Sequence, residues 1–431
     1  MRTRASVLVR DLVLSGEAEL TTGPFGTQLK ASEYVAAGVP LINVRNIGFG
    51  EVRSTDLEYL SEKTAVRLGR HRLETGDIVF GRKGAVERHA YISKDHVGWV
   101  QGSDCLRLRL RSSRFAPRFV SYFLLTEHHK QWMKNYCSGG ATMASLNQDI
   151  LSRIALPLVP LPVQFKIVGV LSAYDDLIEN NNRRIKVLEE MPSRIYREWF
   201  VDFRYPDNEG VPLVDSELGP IPRGWSVKRM DEVADVIDCL HSKKPESTEG
   251  GTGILLQLFN IGAGGSVDLS QIFRISGADY EQWTSRIELG QGDCVVTNVG
   301  RIAAVAQIPR GLKAAPGRNM TAIRPRAIPP TFLLQYLLSE HMDHEVQTKK
   351  DAGSIMDSLN VKGIVKLAVQ LPGDVLANQF EQLVRPIRRH MELLISDQQN
   401  LRTTRDLLLP RLISGEIDVT DLDIAMPEAA A

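Results

Sequence analysis

The sequence predicts an α+β protein in which two similar mixed α/β domains are separated by an antiparallel pair of long helices, a coiled coil, with pseudo-two-fold symmetry. Three observations predict it. Two long stretches, 161–203 and 380–412, repeat apolar residues in alternating steps of three and four, which is the seam of a coiled coil. The 431-residue chain also matches itself at a spacing near half its length. Within each half, short apolar runs broken by Gly, Asn and Asp turns precede an amphipathic helix.

In the first half the strand-like runs are Val39–Val44, Ile78–Phe80, Ala90–Ile92 and Cys105–Leu110. The second half answers with Ile254–Phe259, Cys294–Thr297, Ala303–Ile308 and Thr321–Pro325. Each set is followed by one helix, Pro117–Lys134 or Pro330–Lys349, and by a polar Gly/Ser loop, Ser138–Ser145 or Ala352–Ser358. The repeat is legible residue by residue. Val44-Arg45-Asn46-Ile47-Gly48 returns as Leu258-Phe259-Asn260-Ile261-Gly262, and Leu73–Val79 returns as Leu289–Val295. Tyr122–His128 lines up with Tyr336–His341 across one gap, and Ser145-Leu146-Asn147 with Ser358-Leu359-Asn360.

The first long helix carries its seam on Ile167, Leu171, Tyr174, Ile178, Ile185, Leu188, Ile195 and Trp199, with Asn181 as its polar member. The second carries Phe380, Val384, Ile387, Met391, Leu394, Leu401, Leu408 and Leu412, interrupted by Gln398 and Arg405. Pro192 and Pro386 fall inside these stretches and predict a kink or a restart, because proline removes a helical N–H and crowds the preceding turn. About 35 helical residues span ~50 Å, and DNA half-sites one turn apart are separated by ~34 Å. A helix pair of that length can act as a ruler. The expected parts are a first domain at 1–160, a long helix at 161–204, a linker and second domain at 205–368, a second helix at 369–418 and a tail at 419–431. The connector 207–225 is rich in Gly, Pro and acidic residues. The tail after Ile417 is acidic, then Ala-rich, and is expected to be disordered.

Composition narrows the function. With 43% hydrophobic and 24% charged residues the chain is of ordinary globular type, and no run of about 18 apolar residues offers a membrane span. Cys105, Cys137, Cys239 and Cys294 are scattered without a CxxC pair, which favours a reducing, cytoplasmic setting over zinc or disulfides. Net charge is zero, but residues 1–160 carry 22 Lys+Arg against 15 Asp+Glu, while 221–370 carry 17 against 16. The first globular part therefore permits a polyanion partner. Catalytic motifs are missing: no Asp or Glu stands two places before a Lys, and there is no Gly-Lys dipeptide, G-x-S-x-G elbow or NPPY-like tetrapeptide. His341 and His344 read as helix surface, and no metal site is expected.

The candidate binding residues lie at strand ends and loops. Arg82, Lys83 and Arg88 occupy a turn after a strand, and Asn298 and Arg301 its counterpart in the second half. Arg pairs two hydrogen bonds with guanine and Asn with adenine, whereas Lys and Arg hold phosphates. Lys30, Arg45, Thr142, Arg318, Lys349 and Lys350 are further candidates on the same grounds.

At these residues the chain resembles the specificity subunits of type I restriction-modification enzymes. GPFGTQLKASEYVAAGVPLINVRNIGFG at 23–50 and YLSEKTAVRLGRHRLETGDIVFGRKG at 59–84 are similar to the opening of a target-recognition domain of that family. LPLVPLPVQFKIVGVLSAYDDLIENNNRRI and REWFVDF resemble its central conserved helix, PIPRGWSVKRMDEVA the start of a second recognition domain, and RDLLLPRLISGEIDV the family's ending. Asp374-Val375-Leu376-Ala377 departs from the usual helix start, and 240–256 matches no familiar opening. The resemblance implies a subunit with no active site of its own, reading a bipartite DNA target with one domain per half-site. It implies methyltransferase subunits, two of them, as partners that bring S-adenosylmethionine, and restriction/translocase subunits that bring ATP and Mg. The alternatives from the residues are a methyltransferase or nuclease with its own active site, or a coiled-coil scaffold that binds only protein.

Overall fold

The computed structural model describes residues 5–137, 144–208, 210–350 and 358–425. The chain forms two compact units, one of residues 1–177 with 401–431 and one of residues 178–400. Each is a mixed α/β domain, and the two are built alike.

In the first unit a four-stranded antiparallel sheet has the order Ala18–Thr22, Cys105–Leu110, Ile78–Gly81, His89–Tyr91. In the second unit the order Ala234–Asp238, Met320–Pro325, Cys294–Thr297, Val305–Gln307 repeats it. The first unit adds a sheet of Tyr34–Val35, Glu58–Leu60, Val39–Ile42 and Val100–Gln101, whose last pair is parallel. The chain enters and leaves each globular part through one antiparallel strand pair, Ser6–Leu8 with Ala155–Pro157 and Ser226–Arg229 with Ala368–Leu371.

The repeated sequence words are repeated hydrogen-bond devices. The Asn46 amide donates to the carbonyls of Arg53 and Thr55, while its oxygen accepts from the Asn43 N–H. Asn260 does the same with Asp268, Gln271 and Gln257. Asp77 accepts from the Glu74 N–H at 2.8 Å and from two nitrogens of Arg109, each at 2.7 Å. Asp293 accepts from the Gly290 N–H at 2.9 Å and from Arg324 at 2.9 and 2.6 Å. Asn147 and Asn360 each cap the short helix that follows.

Several of the expected elements need correction. Pro117–Lys134 is two helices, Pro117–Leu124 and Glu127–Cys137. Pro330–Lys349 is likewise Pro330–Leu337 and Glu340–Lys349. The break has a cause: the Ser339 hydroxyl donates to the Tyr336 carbonyl and accepts from the Met342 N–H, ending one helix and capping the next, and Thr126 donates to Phe123. Because both first helices begin on a proline and have eight residues, they align without a gap, and Tyr336 takes the place of Phe123 rather than Tyr122. The long helices do not restart at their prolines: Leu161–Tyr196 passes through Pro192, and Asp374–Ser414 through Pro386. Residues 418–425 are packed rather than loose. Val419 is buried, Lys166 donates to the Thr420 carbonyl at 2.6 Å, and the bare α-carbon of Gly169 admits the Ala425 carbonyl, which a Cβ would meet at 2.6 Å. Finally, of the run Ile254–Phe259 only Ile254 is strand, as the second residue of Gly253–Ile254, since Leu258–Asn260 turns as a 3-10 segment around Asn260.

The seam is the buried face of both helices. In the first unit Ile167, Val168 and Leu171 share a core with Leu409, Leu412 and Ile413, and Arg405 donates to Asp175 at 2.8 Å. In the second unit Gln398 donates to Asn182, Arg184 meets His390 at 3.0 Å, and Tyr196 faces Phe380. Residue numbers rise on one helix as they fall on the other, so the segments run antiparallel in each unit. Ile178, Asn181, Met391 and Leu394 are buried, and Tyr174, Ile185, Leu188, Ile387, Leu401 and Leu408 half-buried. The residues that interrupt the seam thus pair across it.

The Asp–Arg brackets differ in how much they bury. Asp77 is fully buried beside an Arg109 that is itself nearly so, whereas the Arg324 side chain is 42% exposed. Removing Asp77 leaves a nearly buried guanidinium only Glu74 and the Arg72 carbonyl, at the upper end of about 1–3 kcal/mol, and removing Asp293 leaves a more exposed one, at the lower end of that range. Urea unfolding should therefore find Asp77→Ala the more damaging of the two.

Candidate nucleic-acid interface

The predicted binding turns occupy the same slot in each unit. The Arg82 N–H donates to the Asp104 carbonyl at 2.9 Å, and its own carbonyl accepts from Leu146 at 2.8 Å. The Asn298 N–H donates to Asn319 at 2.8 Å, and its carbonyl accepts from Leu359 at 2.9 Å. The following residues, Lys83 and Val299, bridge to Ser145 and Ser358. The same main-chain bonds hold both positions, at the end of a central strand.

Their side chains differ in freedom. Arg82 is half-buried, and its Nε has no hydrogen-bond partner among the described residues. Lys83 beside it is exposed. Asn298 is buried, donating to the Thr321 hydroxyl at 2.9 Å and the Leu359 carbonyl at 2.7 Å, so its amide braces the turn from within. Arg301 is exposed but donates to the Ile261 carbonyl at 3.0 Å.

The other candidates scatter. Arg45 spans the Asp56 carbonyl and the Glu58 carboxylate, both at 2.9 Å, and so staples its own loop. Lys30 and Arg318 are exposed on loops. Lys349 pairs with Glu345, Lys350 follows it at the end of the same helix, and Thr142 lies outside the described residues.

Arg88 leads to a group the sequence did not single out. Its guanidinium lies 5.3 Å from the centre of the Phe49 ring, and the Lys130 ammonium lies 5.2 Å from the same ring. Lys134, one turn on, reaches Glu87 at 3.8 Å. The loop holding Phe49 is fixed by the Gly50 N–H donating to the His89 carbonyl and by Arg118 donating to the Gly50 carbonyl. The signal that could have found Lys130 and Lys134 was present: two lysines four apart on an amphipathic helix. Arg388, next to the seam residue Ile387, was also missed. It is buried and donates to the carbonyls of Gly264 and Gly265 at 2.6 and 3.0 Å, anchoring a loop more than 120 residues away.

Among the described residues, Asp238, Cys239 and His241 alone bring three possible metal ligands within 4.8 Å of one another. Arg286 places its own charge 3.6 Å from that carboxylate, and burial pushes the Cys239 thiol up, so the set favours an ion pair over a cation. Among the described residues no helix is long and apolar enough to cross a membrane.

Each unit thus joins a four-stranded sheet with a polar turn at its strand end to antiparallel segments of the two long helices. Residues 40–190 match the model of the type I restriction modification DNA specificity domain. The chain is 23% identical over 402 residues to the type I restriction enzyme MjaIX specificity subunit of Methanocaldococcus jannaschii, covering 91% of this chain and 90% of that one. It is 19% identical over 410 residues to the HindI specificity subunit of Haemophilus influenzae, covering 80% and 87%. In fold it is similar to the type I system S subunit of M. genitalium, with a TM-score of 0.60 at 12% identity, covering 96% and 97%. The resemblance read from the sequence is thus borne out: the chain is similar to type I specificity subunits along most of its length.

Behind the Phe49 loop, His89 is fully buried with Nε2 2.9 Å from the Ser121 hydroxyl, and burial, with the neighbouring His129 and Arg118, holds it neutral down to about 3. Burial likewise holds His129 down to about 4. An unfolded chain takes up these protons near pH 6.5, so the two histidines favour the folded state above that pH and oppose it progressively as pH falls from about 6.5 to 4. Chemical unfolding at pH 7.5 and pH 5 should show a loss in which His89 accounts for roughly 1–2 kcal/mol, and His89→Gln should flatten the dependence.

Proposed function

We propose that this chain is the DNA-reading, non-catalytic specificity subunit of a type I restriction-modification complex. Each globular part reads one half of a bipartite target, and the paired helices fix the unread spacer. The observation that carries this reading is the duplicated slot at Arg82 and Asn298, held by the same main-chain bonds at the same strand end in both units. A fold that repeats a rigid frame and varies the side chain on it suits the reading of two different half-sites. Arg82, Lys83 and Arg88 meet bases and phosphates on one side, and Arg301 and Arg318 on the other. Asn298 keeps its place in the interface by shaping the turn.

Chemistry is supplied by partners: two methyltransferase subunits carrying S-adenosylmethionine, and restriction/translocase subunits carrying ATP and Mg. Leu177, Val187, Leu383, Leu393 and Leu407 lie on the two helices with about half or more of their surface exposed, and such side chains suit docking subunits.

Co-expression of the chain with a methyltransferase subunit, followed by mapping of methylated adenines, tests the reading. The expected product is a split motif. Arg82→Ala should relax preference in one half only, by roughly tenfold per lost bidentate contact, and Arg301→Ala should act in the other. Deleting four residues within 167–199 should change the tolerated spacer; an unchanged spacer would overturn the ruler. S-adenosylmethionine binding by the isolated chain would instead support an enzyme with its own active site.

A further inference from the structure

The Phe49 loop has a twin that lacks its chemistry. In the second unit the corresponding segment, Gly262–Ser266, contains only Gly, Ala and Ser. Strand register puts Ala304 where the first unit has Arg88, because His89 pairs with Phe80 as Val305 pairs with Val296. Ungapped alignment of the helices that begin at Glu127 and Glu340 puts Asp343 opposite Lys130. An aromatic ring with two cations has therefore become Ala, Asp and a small-residue loop on the same frame.

Packing does not require the ring, since the second copy folds without it and Phe49 keeps 41% of its surface exposed. One exposed phenylalanine is ordinary by itself; what sets Phe49 apart is that two cations, Arg88 and Lys130, lie over its ring. The same turn that carries Arg88 carries Arg82 and Lys83, and Lys130 has Glu127 3.8 Å away, in the half of the chain where the basic excess lies.

We propose that Phe49 is a base-contacting residue of the first half-site only, its ring set against a base of double-stranded DNA while Arg88 and Lys130 hold flanking phosphates. This rests on the DNA-reading function above and adds a division of labour to it. The first unit combines an apolar base contact with phosphate clamping, and the second reads without either. An apolar ring meets DNA through a thymine methyl or by wedging between base steps, and both demand that charged neighbours bring the backbone close.

The test is selection of binding sites from random-sequence DNA by the full chain in complex with its methyltransferase subunit, comparing wild type, Phe49→Ala, Phe49→Leu and Lys130→Ala. Phe49→Ala should lose discrimination at one or two adjacent positions of one half-site, roughly tenfold, with the other half unchanged. Phe49→Leu, which keeps an apolar side chain able to meet a methyl or enter a base step, should restore part of it. Lys130→Ala should leave preference intact and make the dependence of log affinity on log salt shallower by about one. Thermal melting of each variant separates these losses from misfolding. If the wild-type complex selects a motif and folded Phe49→Ala selects the same motif as strongly, the inference falls while the DNA reading stands. If the wild-type complex selects none, both fall.

Discussion

The structure depends on one constraint: each long helix bears an apolar stripe that water will not tolerate, and each compact unit covers its share with the oppositely directed segment of the other helix. Burial of such a stripe is worth a few kcal/mol per large side chain. In the first unit the cover is aliphatic, with Ile167 and Leu171 against Leu409 and Leu412. In the second it is aromatic, with the Phe200 and Phe332 rings 4.9 Å apart and both packed on Phe380. The first core needs chain from both ends of the sequence, so that unit, residues 1–177 with 401–431, is not a contiguous piece of chain, whereas the second, 178–400, is.

Polar groups on the stripe fix register. Asp175 gathers Arg405, Arg118 and Tyr122, so one carboxylate ties both helices to the sheet domain. Arg388 performs the matching task in the second unit with carbonyl partners instead of a carboxylate. Such contacts add little net stability once the cost of burying charge is counted. What they contribute is discrimination against a slipped pairing, since a shift by one turn would strand each of them without a partner.

Much of this was legible in the sequence, for physical reasons that also mark the limit. Periodicity exposed the seam because one buried face must recur every 3.5 residues. The repeat was legible at Asn46 and Asn260, and at Asp77 and Asp293, because each bonds locally to backbone a few residues away and so cannot drift. The slot at Arg82 and Asn298 was placed correctly as a turn after a strand. What residue types could not reveal was which side chains the turn uses for itself: Asn298 is spent on Thr321 and Leu359, and Arg45 on Glu58, partners that only the fold brings near. Arg388 was hidden for the same reason, since a charge on a helix reads as surface until its distant carbonyls are known. The helix break at Ser339 was readable from the Ser-Glu pair, but a continuous amphipathic pattern outweighed it.

The strand pairs that admit and release each globular part, Ser6–Leu8 with Ala155–Pro157 and Ser226–Arg229 with Ala368–Leu371, have a consequence beyond stability. A segment whose two ends are zipped together is a closed cassette. Recombination that trades everything between one such pair for the same stretch of a related gene leaves the residues of both helical stripes unchanged, so a new set of exposed loops can be acquired in one step.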